Sequence, residues 1–159
     1  DISPDSSLVA KGISYVTLEE LLQQSTIISL HCPLTKENHY LINNKTVTLM
    51  KPGVTLVNTS RGGLINTLDI IEALKTKKVA ALCIDVYEQE EKLFFRDLSS
   101  NIIGDDTIQR LMSFPNVLIT AHQAFFTEEA LTEIAQITLD SISKLDKNSM
   151  PENSAVMLT

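Results

Sequence analysis

The chain has 159 residues, 43% hydrophobic and 21% charged, with a formal net charge of -7. That is length enough for one domain with a sizeable core, and an ordinary composition for a globular protein. The acidic balance excludes the clustered Lys and Arg of a nucleic-acid footprint or an anionic-membrane patch, and no stretch approaches the ~20 apolar residues of a membrane span.

Strand and helix patterns alternate along the chain. Residues 13–16 are a short apolar run. Thr17-Leu18-Glu19-Glu20 has capping-box spacing, in which Thr17 accepts from a free helix N–H and Glu20 reaches back. Leu18, Leu21 and Leu22 then share one helical face. Residues 26–32 form a continuous apolar run with β-branched members, the pattern of a buried parallel strand. Pro33 ends it, since it donates no ladder hydrogen bond. A polar turn and helix are expected over 35–42, then a short helix capped by Asn44 and running through Met50. Pro52-Gly53 marks a turn and 54–58 the next strand. Asn66 or Thr67 caps a helix through Lys78, with Ile70, Ile71, Ala73 and Leu74 inward. Its lysines cluster near the C-terminus, where the helix dipole favours them. Residues 79–86 read as a strand. The connection 87–116 is long and mostly polar, with a helical piece at 106–112, and connections of this length tend to be functional. Residues 117–120 form the last strand, and Thr127 caps an amphipathic helix through Leu145.

This alternation predicts an α/β fold, doubly wound in character: a parallel sheet covered by helices on both faces. One domain is expected over residues 1–145, with no internal linker, followed by a polar tail at 146–159. Cys32 and Cys83 lie in apolar runs and match no CxxC or Cys/His metal spacing. They are expected to be reduced, buried, structural thiols in a cytoplasmic protein that holds no metal.

Three segments at consecutive strand ends carry the chemistry: Asn58-Thr59-Ser60-Arg61-Gly62-Gly63, Asp85-Val86-Tyr87-Glu88-Gln89-Glu90 and Ala121-His122-Gln123-Ala124-Phe125-Phe126. In a parallel sheet the carboxyl ends of neighbouring strands converge on one crevice. Arg61 presents a planar fork matched to a carboxylate. Gly62-Gly63 beside it permits conformations closed to other residues and close backbone approach to a ligand. His122 titrates near neutrality and serves as proton donor or acceptor. Glu88, Glu90 or Glu91 supplies a carboxylate to orient it, and spacing does not choose among the three. Asp85 lies within an apolar run, where an unpaired carboxylate would be costly, so it accepts hydrogen bonds from backbone or ligand. His31 looks structural, and His39 is placed on an exposed helix. Together an Arg, an acid and a His suit reduction of a 2-oxo acid, with hydride from a nicotinamide.

These segments, with Ile28-Ser29-Leu30-His31-Cys32-Pro33-Leu34-Thr35, closely resemble the D-isomer-specific 2-hydroxyacid dehydrogenases, and within them the NAD-dependent D-lactate branch. The resemblance extends from Asp1 to about Leu145. It implies that Arg61 binds the substrate carboxylate and carbonyl, and that His122 is the general acid. Glu90 would be the glutamate that pairs with His122 and favours its protonated form, and Phe125 would help line the substrate pocket. NAD would lie against His31, Cys32, Pro33, Thr59, Ser60, Arg61, Asp85 and His122, with Asp85 on the nicotinamide carboxamide and Asp1 on the adenosine ribose. The implied partners are a small 2-oxo or 2-hydroxy acid and a second copy of the chain. One departure stands out. The sequence has five glycines and no GxGxxG, the turn that cradles the pyrophosphate. A chain that opens on Asp1 is therefore expected to be a C-terminal fragment. Alone, it would bind NAD weakly or not at all and would expose apolar area along its sheet. The alternatives are a nucleotide-sensing regulatory module of corepressor type and an inactive truncated chain.

Overall fold

The computed structural model describes residues 3–94, 97 and 100–146. They fall into two compact units, Asp1–His122 and Gln123–Thr159, each described by itself. The first unit opens with α1 (Ser6–Ala10) and α2 (Leu18–Gln24). Then come β1 (Ile27–Leu30), α3 (Asn44–Leu49), β2 (Val54–Asn58), α4 (Thr67–Lys75), β3 (Val79–Ile84), α5 (Asp106–Met112) and β4 (Val117–Ile119). The four strands make one parallel sheet in the order β1-β2-β3-β4, the Rossmann-like arrangement that the alternation predicts. Leu30 pairs with Asn58, Asn58 with Ile84 and Ile84 with Ile119, so all four carboxyl ends fall on one line.

The core lies on one face of this sheet. Ile28, Leu30, Leu56, Leu82 and Ile84 are buried there in one cluster with Ile70, Ile71 and Leu74 of α4 and Ile108 and Leu111 of α5. Helices α2 to α5 pack in a row, α2 on α3, α3 on α4 and α4 on α5. The register puts Ile27, Ser29, Thr55, Val57, Ala81, Cys83 and Leu118 on the other face, where each is partly or fully exposed. Within this unit the described helices pack on the core face, and Ile27 and Leu118 leave apolar area exposed on the other, as expected of the chain alone. Both cysteines are free thiols and only partly buried.

Side-chain caps set most of the helix limits. At α2 the Thr17 hydroxyl accepts from the Glu20 N–H and the Glu20 carboxylate accepts from the Thr17 N–H. The second bond holds the Glu20 carboxyl below its usual range. The helix expected over 35–42 is absent. Instead, Asn38 accepts from the Thr35 N–H and donates to the Pro33 carbonyl, both at 2.7 Å. Such local bonds compete with helix, and Tyr40 at φ 55 closes the turn. Asn43, not Asn44, caps α3, accepting from the Lys45 and Thr46 N–H groups. Asn66 caps α4, which stops at Lys75, short of the expected Lys78, because Lys77 turns left-handed at φ 59. Asp105 caps α5 over the predicted residues. α1 goes unforeseen because it buries no side chain and so carries no apolar period. In the second unit α6 (Glu128–Asp146) follows Thr127, whose hydroxyl accepts from the Ala130 N–H. Apart from Asp146, the tail 146–159 lies outside the described residues. Among those described, no helix is long and apolar enough to cross a membrane.

Leu82 sits mid-strand at 1% exposure, beneath α4 and α5. Leu82→Ala is expected to lower unfolding free energy by about 2–5 kcal/mol, read as a shift in urea midpoint with unchanged slope.

Candidate active site

The turn after β2 is built on Asn58, which is 1% exposed. Its Oδ1 accepts from the Ser60 N–H and its Nδ2 donates to the Arg61 carbonyl. This fixes Thr59, Ser60 and Arg61 as a tight corner. The Ser60 hydroxyl donates to the Cys32 carbonyl at 2.5 Å and so ties the corner to the loop after β1. Arg61 is exposed, and its Nη1 donates to the Ser60 carbonyl. In the loop after β1, His31 is also exposed, with its Nε2 2.8 Å from the Ser29 hydroxyl. His39 is exposed on a turn rather than on a helix, its ring against that of Tyr40.

The loops after β3 and β4 are joined by bonds that continue the ladder. Asp85 N–H donates to the Asn58 carbonyl, Thr120 N–H to the Ile84 carbonyl and His122 N–H to the Asp85 carbonyl. The Asp85 side chain is buried and accepts from the Thr120 hydroxyl. His122 has φ 54, a left-handed conformation uncommon outside glycine, for which His is among the more tolerant residues. The short bond from its N–H to Asp85, 2.7 Å, pins it there.

His122 Nδ1 lies 3.0 Å from Glu90 Oε1, with the His side chain 31% exposed and the Glu 17%. The other oxygen of Glu90 accepts from the Tyr87 N–H at 2.9 Å, which holds the carboxylate in place from behind. Among the three glutamates that spacing leaves open, the structure brings Glu90 to the imidazole. Glu88 turns the other way, accepting from the Tyr40 hydroxyl at 2.7 Å and the Thr67 N–H at 3.3 Å. Glu91 is exposed. Gly62 also departs from expectation, because neither Gly62 nor Gly63 has a positive φ. A Cβ on Gly62 would fall 2.1 Å from the Tyr87 carbonyl carbon, so the close approach is to the protein's own backbone.

Asp85, Glu90 and His122 thus form one bonded group, with the Arg61 corner on the adjoining strand end. Phe125 belongs to the second unit, where its ring meets Phe126 edge-on. Asp1 lies outside the described residues. Asn58 and Thr120 shape the site without having been singled out for it. Asn58 alone had a legible signal, as a polar residue closing an apolar strand.

Fold and strand-end loops together define a Rossmann-like nucleotide-binding domain. Residues 1–124 match the family model described as "D-isomer specific 2-hydroxyacid dehydrogenase, NAD binding domain". The chain belongs to that family, and its cofactor is NAD. It is 49% identical over 156 residues to the D-lactate dehydrogenase of Escherichia coli, covering 98% of this chain and 47% of that protein. The structure of the pyruvate reductase of Chlamydomonas reinhardtii superposes with a TM-score of 0.92 at 42% identity, covering 96% of this chain and 47% of that one. The D-lactate dehydrogenase of Aquifex aeolicus, solved with NAD and lactic acid, superposes with a TM-score of 0.85 at 37% identity, covering 93% and 45%. The chain therefore spans about half the length of the relatives it matches.

Tyr87 anchors the Glu90 loop through its buried ring, and its hydroxyl donates to Asp105 at 2.9 Å. Burial, then the Asp105 carboxylate, push its pKa well above the usual tyrosine value. A raised folded pKa contributes stability that is full below the ordinary value near ~10 and is lost as pH climbs through the folded one. In an alkaline titration of tyrosinate absorbance, Tyr87→Phe is expected to remove a late-titrating component.

Proposed function

We propose that this chain carries the nicotinamide-facing part of an NAD-dependent D-2-hydroxyacid dehydrogenase acting on pyruvate and D-lactate or a near analogue. The observation that carries the reading is the Glu90–His122 contact of 3.0 Å, at the carboxyl ends of parallel strands and beside a buried Asp85. The relatives named for D-lactate and pyruvate support this choice of substrate.

The residues present fit the nicotinamide end of the cofactor. Asp85 is a buried acceptor at a strand end, suited to a carboxamide N–H. Thr59 and Ser60, with the His31-Cys32-Pro33 loop, would line the same edge, held together by the Ser60–Cys32 bond. The sequence offers no GxGxxG to the pyrophosphate, and the isolated chain is proposed to be inactive for that reason. Bound NADH supplies the hydride. Arg61 holds the substrate carboxylate through its fork and polarises the carbonyl. With Nδ1 committed to Glu90, His122 passes its proton to the carbonyl oxygen from Nε2. Glu90 holds Nδ1 and fixes the ring's orientation. In the reverse direction the same imidazole takes the hydroxyl proton.

In the intact protein, His122→Ala is expected to lower turnover with pyruvate by about 10²–10⁴-fold. Wild-type turnover in that variant would remove His122 from the mechanism. Arg61→Gln is expected to raise the KM for pyruvate and to lower kcat, leaving NADH affinity close to unchanged. Steady-state kinetics with each substrate varied in turn separates the two effects.

A further inference from the structure

The Tyr87–Glu88 peptide unit occupies an unusual position. On one side it lies directly on the Cα of Gly62. An added Cβ would sit 2.1 Å from the Tyr87 carbonyl carbon, 2.3 Å from its oxygen and 2.4 Å from the Glu88 nitrogen. All three are backbone atoms, which cannot swing aside as a side-chain tip can. On the other side the same residues hold Glu90. The Tyr87 carbonyl accepts from the Glu90 N–H at 3.2 Å, and the Tyr87 N–H donates to the Glu90 carboxylate. The Glu88 side chain anchors the peptide from a third direction, through the Tyr40 hydroxyl and the Thr67 N–H. Tyr40 is itself tied back, its N–H donating to the Gly63 carbonyl at 2.8 Å. A closed circuit results: Gly62-Gly63, Tyr40, Glu88, Tyr87, Glu90 and His122.

We propose that Gly62 and Glu88 are positioning residues that fix the Tyr87–Glu88 peptide, which in turn fixes the Glu90 carboxylate against His122 Nδ1. Gly62 works by having no side chain, so that the Arg61 corner and the Glu90 loop press together. Glu88 works by binding Tyr40 and Thr67 rather than the imidazole. The circuit also sets the spacing between Arg61 and His122, because Gly62 follows Arg61 directly in the chain. Their effect on turnover rests on reading Glu90 and His122 as the proton-transfer pair.

The test uses the intact protein with isotope-labelled histidine, following the hydrogen-bonded imidazole Nδ1–H resonance that disappears in His122→Gln. Glu88→Ala and Gly62→Ala are expected to shift or abolish that resonance. Both should lower kcat with pyruvate by about 10²-fold, the scale of an ångström-sized misplacement, with little change in the KM for NADH. Glu88→Gln is expected to restore most of both, since its amide accepts from Thr67 and donates to the Tyr40 oxygen. Leu22→Ala, a core change in α2, should lower thermal stability without moving the resonance, which separates positioning from general loosening. If Gly62→Ala does not fold, the Glu88 pair decides. A wild-type resonance and kcat in Glu88→Ala would overturn the proposal, and so would an equal shift in Leu22→Ala. If the resonance moves but His122→Gln turns over normally, the positioning holds and the dehydrogenase role of His122 falls.

Discussion

Parallel ladder bonding does not stop at the ends of these strands. The amides of Asp85, Thr120 and His122 go on donating to carbonyls of the neighbouring chain after the extended geometry has given out. Each bond satisfies a backbone group that would otherwise be stranded at a half-buried sheet edge. Each also fixes where the next side chain begins. Asp85 is buried because its amide is still held by Asn58, and His122 is left-handed because its amide is still held by Asp85. Local backbone strain of this kind typically costs about 1–3 kcal/mol and persists where the surroundings over-determine it. Here the over-determination comes from the sheet, and its product is an imidazole whose Nδ1 faces a carboxylate.

How much of this could be read in the sequence depended on the range of the interaction. Caps are local, so Thr17 with Glu20, Asn66 and Thr127 marked their helices correctly. The strands were legible as apolar runs at 26–32, 54–58 and 79–86, the last of which proves shorter, ending at Ile84. The turn expected in 35–42 is present but the helix beside it is not, because Asx bonding and helix draw on the same polar residues, and the choice falls to Tyr40, whose left-handed backbone no periodicity reveals. Asn43 and Asn44 are equally good caps one position apart, and the Thr46 side chain returning to the Asn43 N–H decides between them.

The site shows the same division. Residue types in three segments suffice to nominate Arg61, Asp85 and His122, but three glutamates within four positions cannot be ranked by spacing, and only the family resemblance pointed to Glu90. What ranks them is tertiary. Glu88 has a hydroxyl and an amide to bind on one side, which leaves Glu90 to turn towards the imidazole. Gly62 carries the same lesson in reverse. Its neighbour Gly63 and the nearby arginine suggest a ligand-binding turn, yet the space it leaves is filled by the backbone of the next loop. A glycine's meaning is set by what stands where its side chain would be.

Strand order in this sheet is the order of the sequence, β1 to β4. A chain leaving the ribosome can therefore add each strand to an edge already made, although each parallel pairing spans a long crossover, Ile27 with Thr55 and Cys83 with Leu118. Non-local parallel pairing of this kind is slow to form and leaves each edge exposed until the next strand docks. It also sets an order of completion. Arg61 and Glu90 follow β2 and β3, whereas His122 arrives with β4, the last strand to dock. Until β4 is in place the Glu90 carboxylate has no imidazole to face, so the Glu90–His122 contact is the final thing that synthesis of this sheet assembles.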